Sequence, residues 1–329
     1  SLAGATLSQA EIKTGRKQGS ECSVHMCFRF FRKASPFKMS TRRPLHAGSW
    51  YDEDGEVLRA KIRQWLEEPE AVEGKHASAI IGPHAGYRYC GHVLAHAFKQ
   101  VQPEKVKRVF MLGPSHHFFS RKCLLSPASV YASPLGDFRV DTEVYQHLHA
   151  SGMFDVMTMK QDEEEHSLEM HLPFVAHLFN PSDVTIVPIV VGSISSSSEA
   201  KLGELLAPYL NDSSNLFALS SDFCHWGSRF GYTPYDQNEG SVHQYIEYLD
   251  RTGMEAIETG DVEVFQRYLK ETNNTICGRH AIAIYMHAMR FSKPEMHIKF
   301  RKYDQSSRAM SMRDSSVSYA AAVITAAAA

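Results

Sequence analysis

Three times in this chain a short apolar run of strand length is cut off, and a histidine follows within a few residues. Residues 78–86 read SAIIGPHAG, with His84 just past Gly82-Pro83. Residues 108–117 read RVFMLGPSHH, with His116 and His117 just past Gly113-Pro114. Residues 216–227 read LFALSSDFCHWG, where Asp222, Cys224 and His225 follow the run. Continuous apolar runs are the mark of parallel strands buried on both faces, and open α/β sheets bind ligands outside the carboxyl ends of their strands. If the three strands are neighbours, three loops deliver histidines to one rim of one sheet. The pattern predicts an α/β fold: a single layered domain whose mostly parallel or mixed central sheet is flanked by helices.

Size and charge narrow what that rim can do. A chain of 329 residues, 43% of them hydrophobic, can bury a large core. A net charge of -2 and a pI near 6.8 supply no basic field, so neither nucleic acid nor an anionic lipid surface is an expected partner. No apolar run approaches the length of a membrane span. The six cysteines, Cys22, Cys27, Cys90, Cys123, Cys224 and Cys277, are too scattered for a disulfide framework and read as free thiols of a reducing compartment. A cytoplasmic protein is expected, with the nucleus also open.

Residues 1–45 stand apart. Nine basic residues, among them Arg42 and Arg43, face only Glu11 and Glu21. They read as a flexible basic extension ahead of a domain over 46–325, with an organellar targeting signal as the lesser reading. Within the domain a helix is expected from Asp52, as N-cap, to Glu67, and another over 92–100. Further helices are expected over 142–149, 199–210, 241–258, 261–270 and 281–290. The acidic start of DEEEHSLEMHLPF suits the N-terminus of one long helix over 162–178. His166 and Glu169 would then share a face, as capping groups or as parts of a site with equal weight. Pro188 marks the strand 184–191 as a sheet edge or bulge. His92 and His96, at i and i+4, read as surface residues.

The rim admits three kinds of chemistry. Two imidazoles and one anionic donor, with positions left open, is the layout of mononuclear non-haem iron sites. His84 and His116 would be the imidazoles. No carboxylate is an obvious third donor, but Cys277 as thiolate could serve, which shifts preference toward copper(I), zinc or an unusual iron site. Alternatively Cys277 or Cys224, paired with a histidine, is a nucleophile. Cys277 gains weight from its place at a helix start, where backbone N–H groups lower a thiol's pKa. A third reading is a binding pocket without turnover, in which the histidines, with Trp50, Tyr89 and Trp226, take a phosphorylated tyrosine.

The motifs HAGSWY (46–51), PHAGYRYCG (83–91), LGPSHH (112–117), DEEEHSLEMHLPF (162–174), SSDFCHWG (220–227), NTICGRH (274–280) and DSSVSYAA (314–321) closely resemble the Memo family, mediators of receptor-driven cell motility. The likeness covers about residues 46–325. It implies a fold similar to class III extradiol non-haem iron dioxygenases, with His84, His116 and Cys277 matching the metal ligands. Cys277 stands where those dioxygenases carry a glutamate, which argues against ring-cleaving activity. His225 matches their acid/base histidine and Asp222 lines the same pocket, orienting His225 or a bound ligand. The resemblance also implies a bound copper or iron ion, with zinc admissible, and a role in cellular redox state. The expected small reactant is an oxidant such as dioxygen or superoxide, with His225 moving a proton. A competing implication is a scaffold that takes a phosphotyrosine-containing receptor peptide or adaptor in the same pocket, at Trp50, Tyr89 and His225.

Overall fold

The computed structural model describes residue 37 and residues 39–71 and 76–327; most of the basic arm lies outside them. The three strands of the recurring pattern are neighbours. Ala77–Gly82, Asn215–Ser220 and Arg108–Pro114 lie side by side and parallel, with Thr185–Val191 parallel beyond the last. Antiparallel strands complete this nine-stranded mixed sheet at its flanks. Ser316–Ala326 pairs with Ala77–Gly82 on one edge and Met296–Gln305 on the other, and its first residues also pair with the two-residue strand His225–Trp226. Successive side chains of a strand point to opposite faces. Every residue of Asn215–Ser220, and all but the first of Arg108–Pro114, is buried, so both faces are covered. Phe217 shows how: it stacks on Phe110 at 4.6 Å and meets Tyr285 of the helix Arg279–Met289 at 5.4 Å. The layered α/β expectation holds. Among the described residues no helix is long and apolar enough to cross a membrane.

Four local expectations are corrected, each for a physical reason. The first helix runs Gly55–Glu67, and its cap is Asp54, whose carboxylate accepts from Glu56 N and Val57 N; Asp52 instead pairs with Lys61 at 2.8 Å. The helix expected over 92–100 starts earlier and spans Tyr87–Phe98.

The long helix over 162–178 is two short ones, Met159–Glu164 and Leu172–Leu178. Glu165 turns to extended backbone (φ -80°, ψ 126°), while its carboxylate accepts from His116 N, His116 Nδ1 and Ser167 N. Helix resumes where Pro173 occupies a first-turn position, which needs no donor. His166 and Glu169 therefore share no helix face.

Pro188 marks no edge. Thr185–Val191 is an interior strand, paired antiparallel with Cys123–Leu125 on its second side. That pairing reaches only Ile189 and Val190, and an isolated bridge meets Ile186, so the missing N–H of Pro188 falls in the gap between them. The Tyr145 hydroxyl fills that gap by donating to Pro188 O at 2.5 Å.

The packed chain also begins before His46. Thr41–Arg42 forms a strand parallel to Val130–Tyr131 in a small second sheet, and Arg42 is fully buried. Its guanidinium meets Glu169 at 2.7 Å and Asp162 at 3.4 Å. A residue counted among the charges of a flexible arm belongs to the core.

Candidate metal centre

His84, His116, Asp222 and His225 follow the carboxyl ends of the three adjacent parallel strands, as the recurring pattern requires. Cys277 arrives from the loop before the helix Arg279–Met289, whose cap is Gly278. Gly278 is needed for close approach: a Cβ there would collide with Ser220 O and Ser221, the strand end that Cys277 packs beside.

His84 is 1% exposed and held at both ends. Its backbone N–H donates to Asp222 Oδ1 at 2.8 Å, and its Nδ1 lies 2.6 Å from Ser220 Oγ. The Ser220 hydroxyl donates its own proton to Ser167 O at 2.6 Å, so Nδ1 is the donor to Ser220. That leaves Nε2 as a bare lone pair, 3.2 Å from Cys277 Sγ. Burial, reinforced by His116, holds the ring well below the usual histidine pKa, so it is neutral. His171 supports the turn from beneath, its Nε2 lying 3.1 Å from both Gly82 O and Pro83 O.

His116 is more open, its side chain 26% exposed. Its Nδ1 donates to Glu165 Oε1 at 2.9 Å, which again turns Nε2 toward the pocket. Partial burial works against its protonation, but hydrogen bonding to Cys277 and Glu165 outweighs it and raises the pKa to about 10. The same contact, against the effect of burial, keeps Glu165 at about 2. A carboxylate behind a ligating imidazole fixes its tautomer and raises its basicity.

His166 completes the cluster. One ring nitrogen from each of His84, His116 and His166 lies within 4.8 Å of the others, so the three could hold a metal ion. Its ring stacks on His116 at 4.4 Å and lies tilted against Trp50 at 4.5 Å. Burial and the His116 charge push its pKa down to about 3, and its buried Nδ1 has no hydrogen-bond partner. The pocket thus gathers the neutral imidazoles of His84 and His166, the His116 ring, which must release a proton to bind an ion, and a sulfur within a few ångströms. Ions with metal–nitrogen and metal–sulfur bonds of about 2.0–2.3 Å place donor atoms roughly 3–4 Å apart. The residues present fit a soft or borderline transition metal.

The structure redistributes the expected roles around Cys277 and His225. Cys277 precedes the helix cap, so its sulfur takes its backbone contact from Asp222 N at 3.2 Å and not from the helix. Among the described residues no hydrogen bond joins Asp222 to His225. The Asp222 carboxylate serves His84 N, and burial pushes its pKa up against the pull of His225. His225 is held by carbonyls: Nδ1 lies 2.9 Å from Phe223 O and 3.2 Å from Thr275 O, leaving Nε2 free. Tyr89 lies elsewhere, on the wall of a cleft of about 730 Å³ that Arg88, Lys61 and Asp52 also line, and Trp50 lines that cleft too while its ring meets His166. His117 is exposed, and His92 pairs with Asp304 at 2.8 Å. Sequence reasoning missed Glu165 and Ser220, which hold the two imidazoles, and left His166 undecided. The only available signal was the EHS triplet following an acidic run.

The loops carrying His225 and Cys277 are tied together by Asp250, a buried carboxylate. It accepts from Cys224 N at 3.2 Å, Asn274 Nδ2 at 3.0 Å and Tyr303 Oη at 2.9 Å. Burial lifts its pKa from the ordinary 3.8 to about 6 despite these bonds. The folded state therefore binds this proton more tightly than the unfolded chain does. The stabilisation is complete below about pH 4 and is lost as pH rises through 6, on the order of 2–3 kcal/mol. Urea titrations of wild type and Asp250→Asn between pH 4.5 and 7 should show the difference moving steadily in favour of the variant as pH rises. A difference that does not change with pH would contradict this assignment.

Fold and site together define a class: a layered α/β protein whose parallel strands gather a histidine-rich, thiol-containing pocket at one edge. Within that class the chain belongs to the Memo-like protein family, whose pattern matches residues 42–323. It is 48% identical over 292 residues to Protein MEMO1 of Danio rerio, covering 87% of this chain and 98% of that one. To Protein MEMO1 of Homo sapiens it is 46% identical over 289 residues, covering 86% and 97%. The Protein memo-1 homolog of Caenorhabditis elegans is 44% identical over 302 residues, covering 88% and 86%.

Proposed function

We propose that His84, His116 and Cys277 hold one redox metal ion, copper or iron. The observation that carries this reading is the 3.2 Å between Cys277 Sγ and His84 Nε2, atoms 193 positions apart in sequence. Ring orientation supports Cys277 over His166 as third donor. An imidazole lone pair lies in the plane of its ring. The His84 and His116 planes cross at 75°, so both can contain one ion. The His116 and His166 planes are only 22° apart in a stack, an arrangement less suited to sharing one ion. His166 then roofs the pocket as a neutral imidazole, with Trp50 behind it.

Bound there, copper or iron would supply one-electron chemistry toward a small oxidant such as dioxygen or superoxide; zinc would supply none. His225, its Nδ1 occupied by two carbonyls, offers Nε2 as a proton carrier. A thiolate where a carboxylate would serve a ring-cleaving dioxygenase argues against that reaction. Family membership supports a role in redox control and cell-motility signalling in the cytoplasm. The test is elemental analysis of protein purified anaerobically and supplied with copper(I) or iron(II), with iodoacetamide labelling of Cys277 before and after loading. Retention of about one ion with protection of the thiol is expected. Protein that retains no ion, or whose thiol alkylates equally fast when loaded, ends this reading.

Loss of the carboxylate behind His116 should weaken the site without emptying it. Glu165→Gln is expected to lower metal affinity about ten- to a hundredfold, the usual effect of removing such a partner. Competition with a chromogenic chelator measures it, and an unchanged affinity would show that Glu165 serves only the loop.

The cleft favours a second reading, a scaffold for phosphotyrosine-containing receptor peptides or adaptors. Trp50 and Tyr89 offer aromatic surface, and Arg88 and Lys61 offer positive charge. The carboxylates of Asp52, Glu53 and Asp54 line the same cleft and oppose a phosphate dianion, so the metal reading leads. Titration of the protein with a phosphotyrosine peptide, followed by tryptophan fluorescence in wild type and Tyr89→Ala, separates the two.

A further inference from the structure

We propose that Arg42 is a positioning residue for this site: it holds Glu165 in the place from which Glu165 grips His116. The inference rests on the metal reading for its consequence, though not for its geometry. Met159–Glu164 and Leu172–Leu178 leave a stretch between them without regular structure, and that stretch carries Glu165 and His166. Turn bonds pair the carbonyls of His166, Leu168 and Glu169, but those of Glu165 and of Asp162 in the preceding helix take donors from elsewhere. One guanidinium supplies them. Arg42 Nη2 donates to Glu165 O at 2.8 Å, and Nε donates to Asp162 O at 3.2 Å. Nη2 also pairs with Glu169 Oε2 at 2.7 Å, so the stretch is clamped near both ends. The third anchor is its own strand, since Nη1 donates to Arg43 O at 3.0 Å.

The clamp leads directly to the pocket. The residue whose carbonyl Arg42 holds is the one whose carboxylate accepts from His116 N at 2.6 Å and His116 Nδ1 at 2.9 Å. Glu169, held by the same Nη2, also accepts from His46 N at 2.9 Å and Tyr51 Oη at 2.8 Å. The HAGSWY turn carrying Trp50 is thereby fixed to the same guanidinium. A planar group with five donors can reach all these acceptors at once; a lysine ammonium cannot.

Arg42→Met and Arg42→Lys, made in the full chain, test the proposal with two readouts. The amides of His116 and Ser167 both donate to Glu165, so their hydrogen exchange reports its position with no metal present. In Arg42→Met these two amides should exchange at least about tenfold faster, while the strands Ala77–Gly82 and Asn215–Ser220 keep their protection. Copper(I) affinity should fall about ten- to a hundredfold, and Arg42→Lys should recover part of both losses. Equal acceleration across the whole sheet would reduce Arg42 to a stabiliser of the fold; wild-type exchange at His116 and Ser167 would remove it from the site. Should the Met variant fail to fold, the Lys variant decides on the same readouts. If wild type retains no copper, the metal reading fails while the exchange pattern still judges the clamp.

Discussion

Cys277→Ser is expected to leave the protein folded and to remove its metal. The sulfur is half-buried and its neighbours are polar: His84 Nε2, Asp222 N and the His116 ring. A hydroxyl fits that space at small cost to the fold, but it stays protonated near neutral pH and is a poor donor to copper or iron. Metal content should fall to a tenth or less of wild type, roughly the effect expected when one of three donors is lost. His84→Ala should empty the site as well, with some cost to stability, because buried Ser220 loses the Nδ1 donor while Asp222 keeps the backbone N–H. Elemental analysis beside thermal unfolding gives both answers. Full metal occupancy in Cys277→Ser would return the third position to His166 and refute the ligand set proposed above.

Phe217→Ala is expected to be the most damaging single change to the core. Phe217 is 1% exposed and sits on the strand that joins the two Gly-Pro-His strands. It stacks on Phe110 with ring planes 9° apart and abuts Tyr285, so its removal empties space between sheet and helix. Truncations of this kind cost about 3–5 kcal/mol, because close-packed neighbours relax only partly into the void. Urea denaturation measures it, and a loss below about 1 kcal/mol would show that the sheet and helix close over the gap. Its effect on metal affinity should be small beside that of Cys277→Ser, since no ring donor is removed.

Much of the architecture could be read in the chain because burial on both faces leaves a local mark. The runs AIIG, VFML and LFAL are apolar at every position, and all three became parts of adjacent parallel strands. Their trailing histidines reached one rim for the same reason, since parallel neighbours end on the same side. Where a decision depended on partners distant in sequence, local reasoning failed. An acidic start suited to a helix N-terminus carried the expected helix through Glu165 and His166, whereas three donors from residues 116 and 167 pulled Glu165 out of it. Pro188 looked like an edge because an interior strand normally needs every N–H, and only the spacing of its neighbours revealed the gap that tolerates it. Arg42 looked like one charge in a basic arm until Glu169 and Asp162 surrounded it.

By itself, then, the order of residues determined the sheet's inner strands, the rim they share and the two imidazoles that face it, since these follow from unbroken apolar runs and what trails them. Tertiary structure alone decided the tautomers, the carboxylate behind His116, the roof of His166 and the residue that clamps them. Hydrogen bonds and ring contacts between segments distant in sequence, 49 positions for His116 and Glu165 and 136 for His84 and Ser220, set those features, and such contacts leave no periodic trace along the chain.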